Sequence, residues 1–336
     1  MKGILAQVLQ SVALGTVIPG LLFSAAKLVE PTPPVSAPAV QIQPTQPTPE
    51  VSKPEQSVQM AAETVPVLKS DGQCKEMALE DYICRVVLGE MPASFEVEAL
   101  KAQAVAARTY SLRCLGGSKH EGGAICTSAK CCQSYCEPES YIRNGGTYEN
   151  VRKVFEAVLQ TAGEVLYYEN KLIMATYFSS AGNATEDAKA VWGSAFPYLT
   201  TVSSPEGDDR FNGETVTFTA GEFQEKLGVT LKGKPESWFG AVTYTTGGGV
   251  DRIRIGGTQY KGTTLREKLG LRSTDFTLTT TDTAITFTTN GYGHRVGMSQ
   301  YGADAMAAGG STFEEILAHY YPKTQIVGID KLSDLG

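Results

Sequence analysis

The spacing of hydrophobic residues predicts a helix near the start of the folded region. Apolar side chains recur there every three or four residues, at Leu79, Tyr82, Ile83, Val86 and Val87. This period places them on one face of a helix that packs against a core. Gly89 and Pro92 follow the last of these positions, which predicts that the helix ends at Gly89. Glu90 is therefore expected in a short turn.

Patterns further along the chain predict both helices and strands. A second helix is expected from Ser94, as its N-cap, to about Cys114. Further helices are expected at 149–161 and 313–321, the latter after a capping box formed by Ser311 and Glu314. Strands are expected at 164–168, 172–178, 241–245, 251–255 and 277–289. Because the two kinds of element do not alternate regularly, the pattern predicts an α+β fold.

The first 66 residues differ in composition from the rest of the chain. Residues 1–30 hold an apolar run, at 4–26, that is long enough to be a membrane anchor and also fits a cleaved secretory signal. Residues 31–66 contain nine of the sixteen prolines, which predicts an extended linker. With either reading of the first segment, the folded region at 67–336 is expected to be exported.

Charge and composition argue against two broad classes of protein. The chain has 336 residues, with 29 Lys and Arg against 36 Asp and Glu and a formal net charge of −7. No nucleic-acid partner is expected, because such proteins gain affinity by neutralising phosphates. The 35 glycines and the many Thr, Val and Tyr residues argue against an all-helical bundle.

Four side chains that can bind a metal ion lie close together in the sequence. His120, Cys126, Cys131 and Cys132 offer one imidazole and three thiols within thirteen residues, which is a full set for a tetrahedral structural zinc ion. Cys136 is expected to be able to substitute for one of these ligands. The alternative is disulfide formation among the four cysteines at 126, 131, 132 and 136.

Three blocks of sequence resemble the stage II sporulation protein D family. They read EMPASF at 90–95 with EALKAQAVAARTY at 98–110, YFSSAG at 177–182 with VWG at 191–193 and PYL at 197–199, and GYGHRVGMSQYGA at 291–303. The blocks occur in the family's order and span about 80–321 of this chain. Three long blocks in order are a far more specific signal than any one short motif.

The resemblance implies a lytic transglycosylase that cleaves peptidoglycan glycan strands between N-acetylmuramic acid and N-acetylglucosamine and forms a 1,6-anhydro ring. It implies a role in forespore engulfment during sporulation, with the protein anchored between the membranes of the sporulating cell. The implied partners are glycan strands, a cell-wall amidase and the stage II sporulation proteins M and P of the engulfment complex. If the N-terminal segment is cleaved, a secreted protein is expected.

The family's catalytic acid corresponds to Glu90 in this sequence. Such an enzyme needs no attacking water and no second carboxylate, because one carboxyl group can protonate the leaving glycosidic oxygen and then deprotonate the muramyl C6 hydroxyl. This double role requires a pKa raised towards neutrality, which partial burial would supply.

The other expected site residues lie in the second and third blocks. His294 is expected to orient the substrate, and the residues expected to help it bind sugar are Tyr292, Ser179, Ser180 and Gln300. A structural hydrogen bond is the alternative for His294, and a role at a strand end is the alternative for the two serines. Arg295 stands where the family usually has Gly and is expected to narrow or recharge the groove. Stacking on sugar is weighed against core packing for Tyr177, Trp192 and Tyr198.

The resemblance also bears on the metal site and on the architecture. It implies zinc held by two Cys and two His, with Cys131 standing where the family has His. Residues 213–280 separate the second and third blocks and are rich in Gly, Thr and Lys, so a small β-rich inserted lobe is expected there. The fold is then a helix-rich catalytic core that brings Glu90 and His294 to one cleft, with the lobe as a wall.

Two other function classes remain open from the sequence. The same domain resembles enhancers of wall amidases, so a non-catalytic glycan-binding module that stimulates a hydrolase is the main alternative. A cysteine hydrolase is a weaker alternative, because no recognisable nucleophile signature surrounds any cysteine.

Overall fold

The computed structural model describes residues 64–115, 120, 123–206 and 210–334. Its helices and several small sheets confirm the predicted α+β class. The expected anchor or signal at 1–30, and the expected linker as far as residue 63, lie outside the described residues. In the part of the chain that is described, no helix is both long enough and apolar enough to cross a membrane.

A long central helix organises the core. In chain order the helices are α1 (Leu79–Glu90), α2 (Val97–Leu115), α3 (Pro138–Arg143), α4 (Tyr148–Gln160), α5 (Ala188–Trp192), α6 (Ala220–Leu227), α7 (Gly262–Leu269), α8 (Gln300–Ala308) and α9 (Phe313–Tyr320). Helix α2 packs against α1, α4, α8 and α9. Its buried alanines allow this, because their short side chains let neighbouring backbones approach closely.

Several helix ends differ from the sequence predictions. Helix α2 begins at Val97, so Ser94 is not its N-cap. Helix α1 continues through Gly89 and ends at Glu90, so Glu90 belongs to the helix rather than to a turn. A Cβ at Gly89 would lie 2.7 Å from the backbone nitrogen of Tyr135, so this glycine permits a close approach rather than ending the helix. The capping box before α9 is formed by Thr312 and Glu315, one residue later than predicted.

The strands of the core form three small sheets, and those of the lobe form two more. In chain order all the described strands are β1 (Thr64–Leu68), β2 (Cys74–Ala78), β3 (Ile125–Cys126), β4 (Glu164–Tyr168), β5 (Lys171–Leu172), β6 (Tyr177–Phe178), β7 (Glu214–Thr219), β8 (Phe239–Tyr244), β9 (Val250–Ile255), β10 (Thr258–Lys261), β11 (Phe276–Thr280), β12 (Ala284–Thr289), β13 (Met298–Ser299) and β14 (Gln325–Gly328). The core orders are β2-β1-β3, β14-β4-β5 and β13-β6. Strand β1 begins three residues before the expected boundary at residue 67.

The strand predicted at 172–178 is two short strands. Strand β5 pairs with β4, whereas β6 pairs in parallel with β13, so the chain between them passes from one sheet to another. In the second pair, Tyr177 lies opposite Met298 and Phe178 opposite Ser299. This pairing joins the second and third sequence blocks.

A second hydrophobic cluster lies in the lobe region. It is built from β7 to β12 with α6 and α7, and it includes Phe218, Phe223, Trp238 and Phe287. Strand β12 pairs with both β11 and β7. The lobe therefore extends past residue 280, because β12 is the central strand of one of its sheets.

Arg295 links the lobe to the core and does not face the groove. Its guanidinium is fully buried and donates hydrogen bonds to the carbonyls of Ala181 and Ala184 in the core and of Gly247 in the lobe. Glu186 and Asp275 provide its ion pairs, at 3.4 and 3.6 Å. The expectation that Arg295 narrows or recharges the groove is therefore wrong, because these acceptors hold the side chain inside the protein.

Candidate active site

Residues from all three sequence blocks line one cavity of about 580 Å³. Glu90 comes from the end of α1, Tyr177 and Ser179 from β6 and the residue after it, and Tyr292 and His294 from the loop before β13. Gln300, the first residue of α8, also lines the cavity, as does Arg266 of α7 in the lobe. The expected meeting of Glu90 and His294 in one cleft is thus what the structure contains.

Glu90 is the one carboxylate among the described residues that line this cleft. The backbone N–H of Ser134 donates a hydrogen bond to its Oε1 atom. The pKa of Glu90 is raised, because burial outweighs the opposing effects of the Ser134 N–H and the Tyr177 hydroxyl. Its place at the C-terminal end of α1 acts in the same direction, since the helix dipole is negative there.

A buried polar network supports the carboxyl group. The hydroxyl of Tyr177 donates to Gln133 Oε1 at 2.7 Å, and Gln133 Nε2 donates to Ser111 Oγ at 2.8 Å. Burial, followed by the charge of Glu90, raises the pKa of Tyr177 well above its ordinary value. Tyr177 is therefore a neutral hydroxyl beside the catalytic candidate, and its side chain packs against the hydrophobic core, as one of the two sequence alternatives expected.

His294 is held by its surroundings. Its Nδ1 atom accepts a hydrogen bond from the backbone N–H of Val296 at 3.1 Å, and its ring lies 5.6 Å from the ring of Phe178. Burial, and then the positive charge of Arg266, lowers its pKa to about 4. The ring is neutral near pH 7 and, with Nδ1 accepting, carries its proton on Nε2.

The glycines next to His294 allow its loop to lie against the core. A Cβ at Gly291 would come within 2.6 Å of the Ser180 carbonyl oxygen, and one at Gly293 would lie 2.8 Å from the Cβ of Phe178. Gly293 also has a φ of 119°, which L side chains rarely adopt. The Gly-rich sequence therefore serves a close approach to β6.

The two serines occupy different environments. Ser179 lines the cleft, whereas Ser180 is buried and pairs with Tyr292 through hydrogen bonds of 3.1 and 2.7 Å between their backbones. Ser180 therefore lies behind the lining rather than in it. The Gln300 amide lines the cleft and donates to Gln103 Oε1 at 3.4 Å.

Three aromatic side chains named from the sequence differ in their exposure. Tyr292 is 46% exposed and Trp192 is 42% exposed, and the Trp192 ring lies 5.4 Å from the ring of His294. Tyr198 is buried, and its hydroxyl accepts a hydrogen bond from the backbone N–H of Met174. Trp192 and Tyr292 can therefore stack on a sugar, whereas Tyr198 packs in the core.

The four expected metal ligands lie together. One ligand atom from each of His120, Cys126, Cys131 and Cys132 falls within 4.8 Å of the others. His120 Nε2 is 3.4 Å from Cys131 Sγ and 3.6 Å from Cys132 Sγ. Bond lengths of about 2.0–2.3 Å separate the ligand atoms around a tetrahedral zinc ion by about 3.3–3.8 Å. Both His120 distances fall in this range and the donor types suit zinc, whereas the spread of up to 4.8 Å within the cluster is wider than a bound ion requires. Cys136 lies outside the cluster.

The metal cluster adjoins the cleft directly. Cys132 lines the cavity and is followed by Gln133 and Ser134, which contact Tyr177 and Glu90. An ion that fixes Cys131 and Cys132 would therefore also fix the backbone donor of Glu90. With four protein ligands, such an ion has no open position for substrate.

Sequence reasoning missed three contributors to this site. Gln133, Ser134 and Arg266 all line the cleft, but none lies in the three blocks. Gln133 and Ser134 directly follow Cys131 and Cys132, and this position next to two expected metal ligands is the feature of the sequence that could have indicated them. Arg266 had no signal, because it belongs to the inserted lobe and reaches the cleft only through the fold.

Comparison with known proteins agrees with this arrangement. A family described as "Stage II sporulation protein" matches residues 69–168. The chain is 43% identical over 276 residues to stage II sporulation protein D of Bacillus subtilis (strain 168), covering 80% of each chain. This chain belongs to the stage II sporulation protein D family.

Two further relatives extend the comparison. The stage II sporulation protein D of Bacillus amyloliquefaciens is 41% identical over 276 residues, covering 80% of this chain and 79% of the relative. A protein of Bacillus subtilis (strain 168) named amidase enhancer is 31% identical over 300 residues, covering 72% of this chain and 39% of that protein. This chain is thus similar both to proteins named for sporulation and to one named as an enhancer of an amidase.

Proposed function

We propose that this protein is a peptidoglycan lytic transglycosylase that acts during sporulation, with Glu90 as its acid and base. The observation that carries the proposal is the one carboxyl group among the described cleft residues, partly buried at the end of α1, whose pKa is raised. A raised pKa keeps the group protonated to a higher pH than an ordinary carboxyl group, which is what a general acid needs. Membership of the stage II sporulation protein D family supports the cell-wall substrate.

The proposed reaction uses Glu90 twice. The protonated carboxyl group gives its proton to the glycosidic oxygen as the bond from muramyl C1 to that oxygen breaks. The resulting carboxylate then takes the proton of the muramyl C6 hydroxyl while that oxygen bonds to C1, which closes the 1,6-anhydro ring. Proton and electron pair are balanced over the two steps, and Glu90 returns to its starting state.

Digestion of purified wall tests this proposal. Mass spectrometry should detect 1,6-anhydromuramyl ends with the unmodified chain and lose them with Glu90→Gln, since losing a general acid costs about two to four orders of magnitude in rate. Glu149→Gln, at an exposed carboxylate of α4, is the matched control and should leave the yield unchanged. Reducing muramyl ends would identify a hydrolase instead, and full activity of Glu90→Gln would remove Glu90 from the mechanism.

We propose in addition that the cluster of His120, Cys126, Cys131 and Cys132 binds one structural Zn²⁺. The close approach of the four ligand atoms supports this. When bound, the ion supplies cross-linking of the loop and no chemistry to the reaction. The residues of the chain do the rest: Ser134 donates to Glu90, and Gln133 accepts from Tyr177.

The location outside the cytoplasm is also a proposal. It rests on the apolar run at 4–26 and on the proline-rich stretch after it. Protease added to cells stripped of their wall should digest the chain beyond residue 31, and protection there would contradict this topology. A mature form lacking the first 26 residues would show a signal peptide in place of an anchor. We propose the stage II sporulation proteins M and P as neighbours in the membrane.

The second candidate function is a glycan-binding enhancer of a wall amidase. The relative named amidase enhancer, at 31% identity, is the observation in its favour. The two functions differ in their dependence on Glu90. Stimulation of a purified amidase that survives Glu90→Gln, with no anhydro product from the unmodified chain, would establish the enhancer and exclude the enzyme.

A further inference from the structure

Arg266 places an uncompensated positive charge in the cleft. It is the one arginine or lysine among the described residues that line this cavity. Within the described chain it makes no ion pair, and its recorded hydrogen bond runs from Nε to the carbonyl oxygen of Arg272 at 3.1 Å. Its two terminal nitrogens thus have no protein acceptor.

The neighbouring arginine shows what a compensated side chain looks like here. Arg272 pairs with Glu214 at 3.0 Å and lies over the rings of Phe211 and Tyr292. Arg266 has no such carboxylate among the described residues and faces the cleft instead. A positively charged group that is partly removed from water and lacks a counter-ion is costly to maintain, which indicates a ligand that supplies one.

The side chain of Arg266 is oriented by the loop that carries His294. The carbonyl oxygen of Arg272 accepts from Arg266 Nε and also from the backbone N–H of Gly293 at 3.0 Å. The charge also reaches His294, whose pKa is lowered by burial and then by Arg266. Arg266 is therefore held next to the proposed substrate loop, with its terminal nitrogens available.

We propose that Arg266 binds a carboxylate of the glycan strand and so selects substrate from the lobe side of the cleft. A guanidinium matches a carboxylate through two parallel hydrogen bonds, which sugar hydroxyls cannot reproduce. In peptidoglycan this group has two sources: the lactyl carboxylate of a muramic acid without its peptide, and the carboxylates of an attached stem peptide. The inference rests on the proposed glycan substrate, but not on catalysis.

Binding measured in a Glu90→Gln background separates this inference from the proposed reaction. Isothermal calorimetry would measure the affinity of three proteins, with Arg266, Arg266→Gln or Arg266→Lys, for three soluble glycan strands. The first strand is free of peptide and the second bears peptides. The third is free of peptide and has its lactyl carboxylates converted to neutral methylamides. Arg254→Gln, at an exposed arginine of β9, is the matched control. Thermal unfolding of each variant would verify that it folds.

We expect Arg266→Gln to weaken binding of a carboxylate-bearing strand about 10- to 100-fold, as for the loss of a charge-assisted hydrogen bond. Arg266→Lys should retain part of the affinity, and Arg254→Gln all of it. Loss confined to peptide-free strands identifies the lactyl carboxylate, and loss confined to peptide-bearing strands identifies the stem peptide.

The neutralised strand removes the carboxylate from the ligand, as Arg266→Gln removes the charge from the protein. If the lactyl carboxylate is the ligand, the protein that retains Arg266 should bind the methylamide strand as weakly as Arg266→Gln binds the acid. The proposal would be overturned if Arg266→Gln weakened binding of the acid strand and of the methylamide strand equally and left binding of the peptide-bearing strand unchanged. It would also be overturned if Arg266→Gln weakened binding of none of the three strands. Anhydro product is measured separately, so a failed transglycosylase proposal would leave these results interpretable.

Discussion

Glu90 experiences two opposing influences at the level of single atoms. Burial and the end of α1 favour the neutral acid, whereas the Ser134 N–H and the Tyr177 hydroxyl favour the carboxylate. The first pair prevails, so the pKa is raised. The folded protein is then more stable with Glu90 protonated, and this stability is lost as pH rises through the raised pKa.

The pH dependence of the reaction follows from this balance. Because the proposed general acid must be protonated, kcat/KM of the proposed reaction should fall as pH rises through the pKa of Glu90. The one hydroxyl proton of Tyr177 can be donated to Gln133 or to the Glu90 carboxylate, and in the second case it lowers the pKa of Glu90. Tyr177→Phe removes this donor, so it should raise that pKa further and move the falling limb to higher pH. A pH–rate profile of both proteins measures this, and a shift to lower pH would contradict the assigned role of Tyr177.

Gly89 should be intolerant of any side chain. The Cβ of Gly89→Ala would meet backbone atoms of Ser134 and Tyr135, which cannot rotate away as a flexible side chain can. We expect a loss of about 1–3 kcal/mol in the free energy of unfolding, measured by urea denaturation, with lower activity as Ser134 moves. Gly221→Ala in α6, where a Cβ meets nothing within 4 Å, is the control and should be neutral or slightly stabilising.

Single residues also show how far the sequence could be interpreted. Glu90 and His294 lie in long blocks, so their positions could be predicted. The orientation of Arg295 could not, because its acceptors are backbone carbonyls of Ala181, Ala184 and Gly247, which no side-chain pattern reveals. Arg266 was missed for a similar reason, since only tertiary packing brings α7 to the cleft.

At the scale of elements, helix periodicity was more informative than helix ends. Strand β4 was predicted with its observed bounds, and α4 to within one residue. The end of α1 was misplaced because glycine commonly ends helices, whereas here Gly89 makes room for the Ser134–Tyr135 backbone. The single strand predicted at 172–178 failed because its apolar pattern continues while its pairing partner changes.

The cap of α9 gives a direct test of one such correction. Thr312 Oγ1 accepts from the backbone N–H of Glu315, so Thr312→Ala should cost about 1 kcal/mol in the free energy of unfolding. Ser311→Ala should cost much less, because its side chain takes no part in the capping box. Urea denaturation of both variants decides between a capping box at Thr312 and Glu315 and one at Ser311 and Glu314. A larger loss of stability in Ser311→Ala would favour Ser311 and Glu314.

The loop with the metal cluster should couple stability to activity. Chelation should lower the melting temperature and also glycan cleavage, since Cys132 leads directly to Gln133 and Ser134. Cys126→Ser should do the same in the presence of zinc, whereas Cys74→Ser, at an exposed cysteine outside the cluster, should do neither. Metal content below about a tenth of an ion per chain, with disulfides at these cysteines, would replace zinc by the oxidised alternative.

Across the whole molecule, the lobe and the core are joined through buried charge. Arg295 contacts carbonyls on both sides and pairs with Glu186 and Asp275. Arg295→Met would leave these acceptors without their donor inside the protein. We expect a loss of about 3–5 kcal/mol in the free energy of unfolding, as for other broken buried pairs.

An exposed pair provides the comparison for that variant. Arg252 lies 3.7 Å from Asp251 on the surface of the lobe, so Arg252→Met should cost at most about 1 kcal/mol. Urea denaturation gives comparable free energies of unfolding if their slope against urea concentration is the same for all the proteins. Similar losses for the two variants would show that Arg295 does not hold the lobe and the core together.

The short pairing of β6 with β13 has a consequence for the order in which the protein matures. Translation delivers Tyr177 long before Met298, and the whole lobe is made between them. A nascent chain can therefore complete the helix that bears Glu90 while the opposite side of the cleft does not yet exist. Any chain interrupted before β13 carries Glu90 without the loop that holds His294, so the complete cleft forms only when synthesis has reached the last part of the chain.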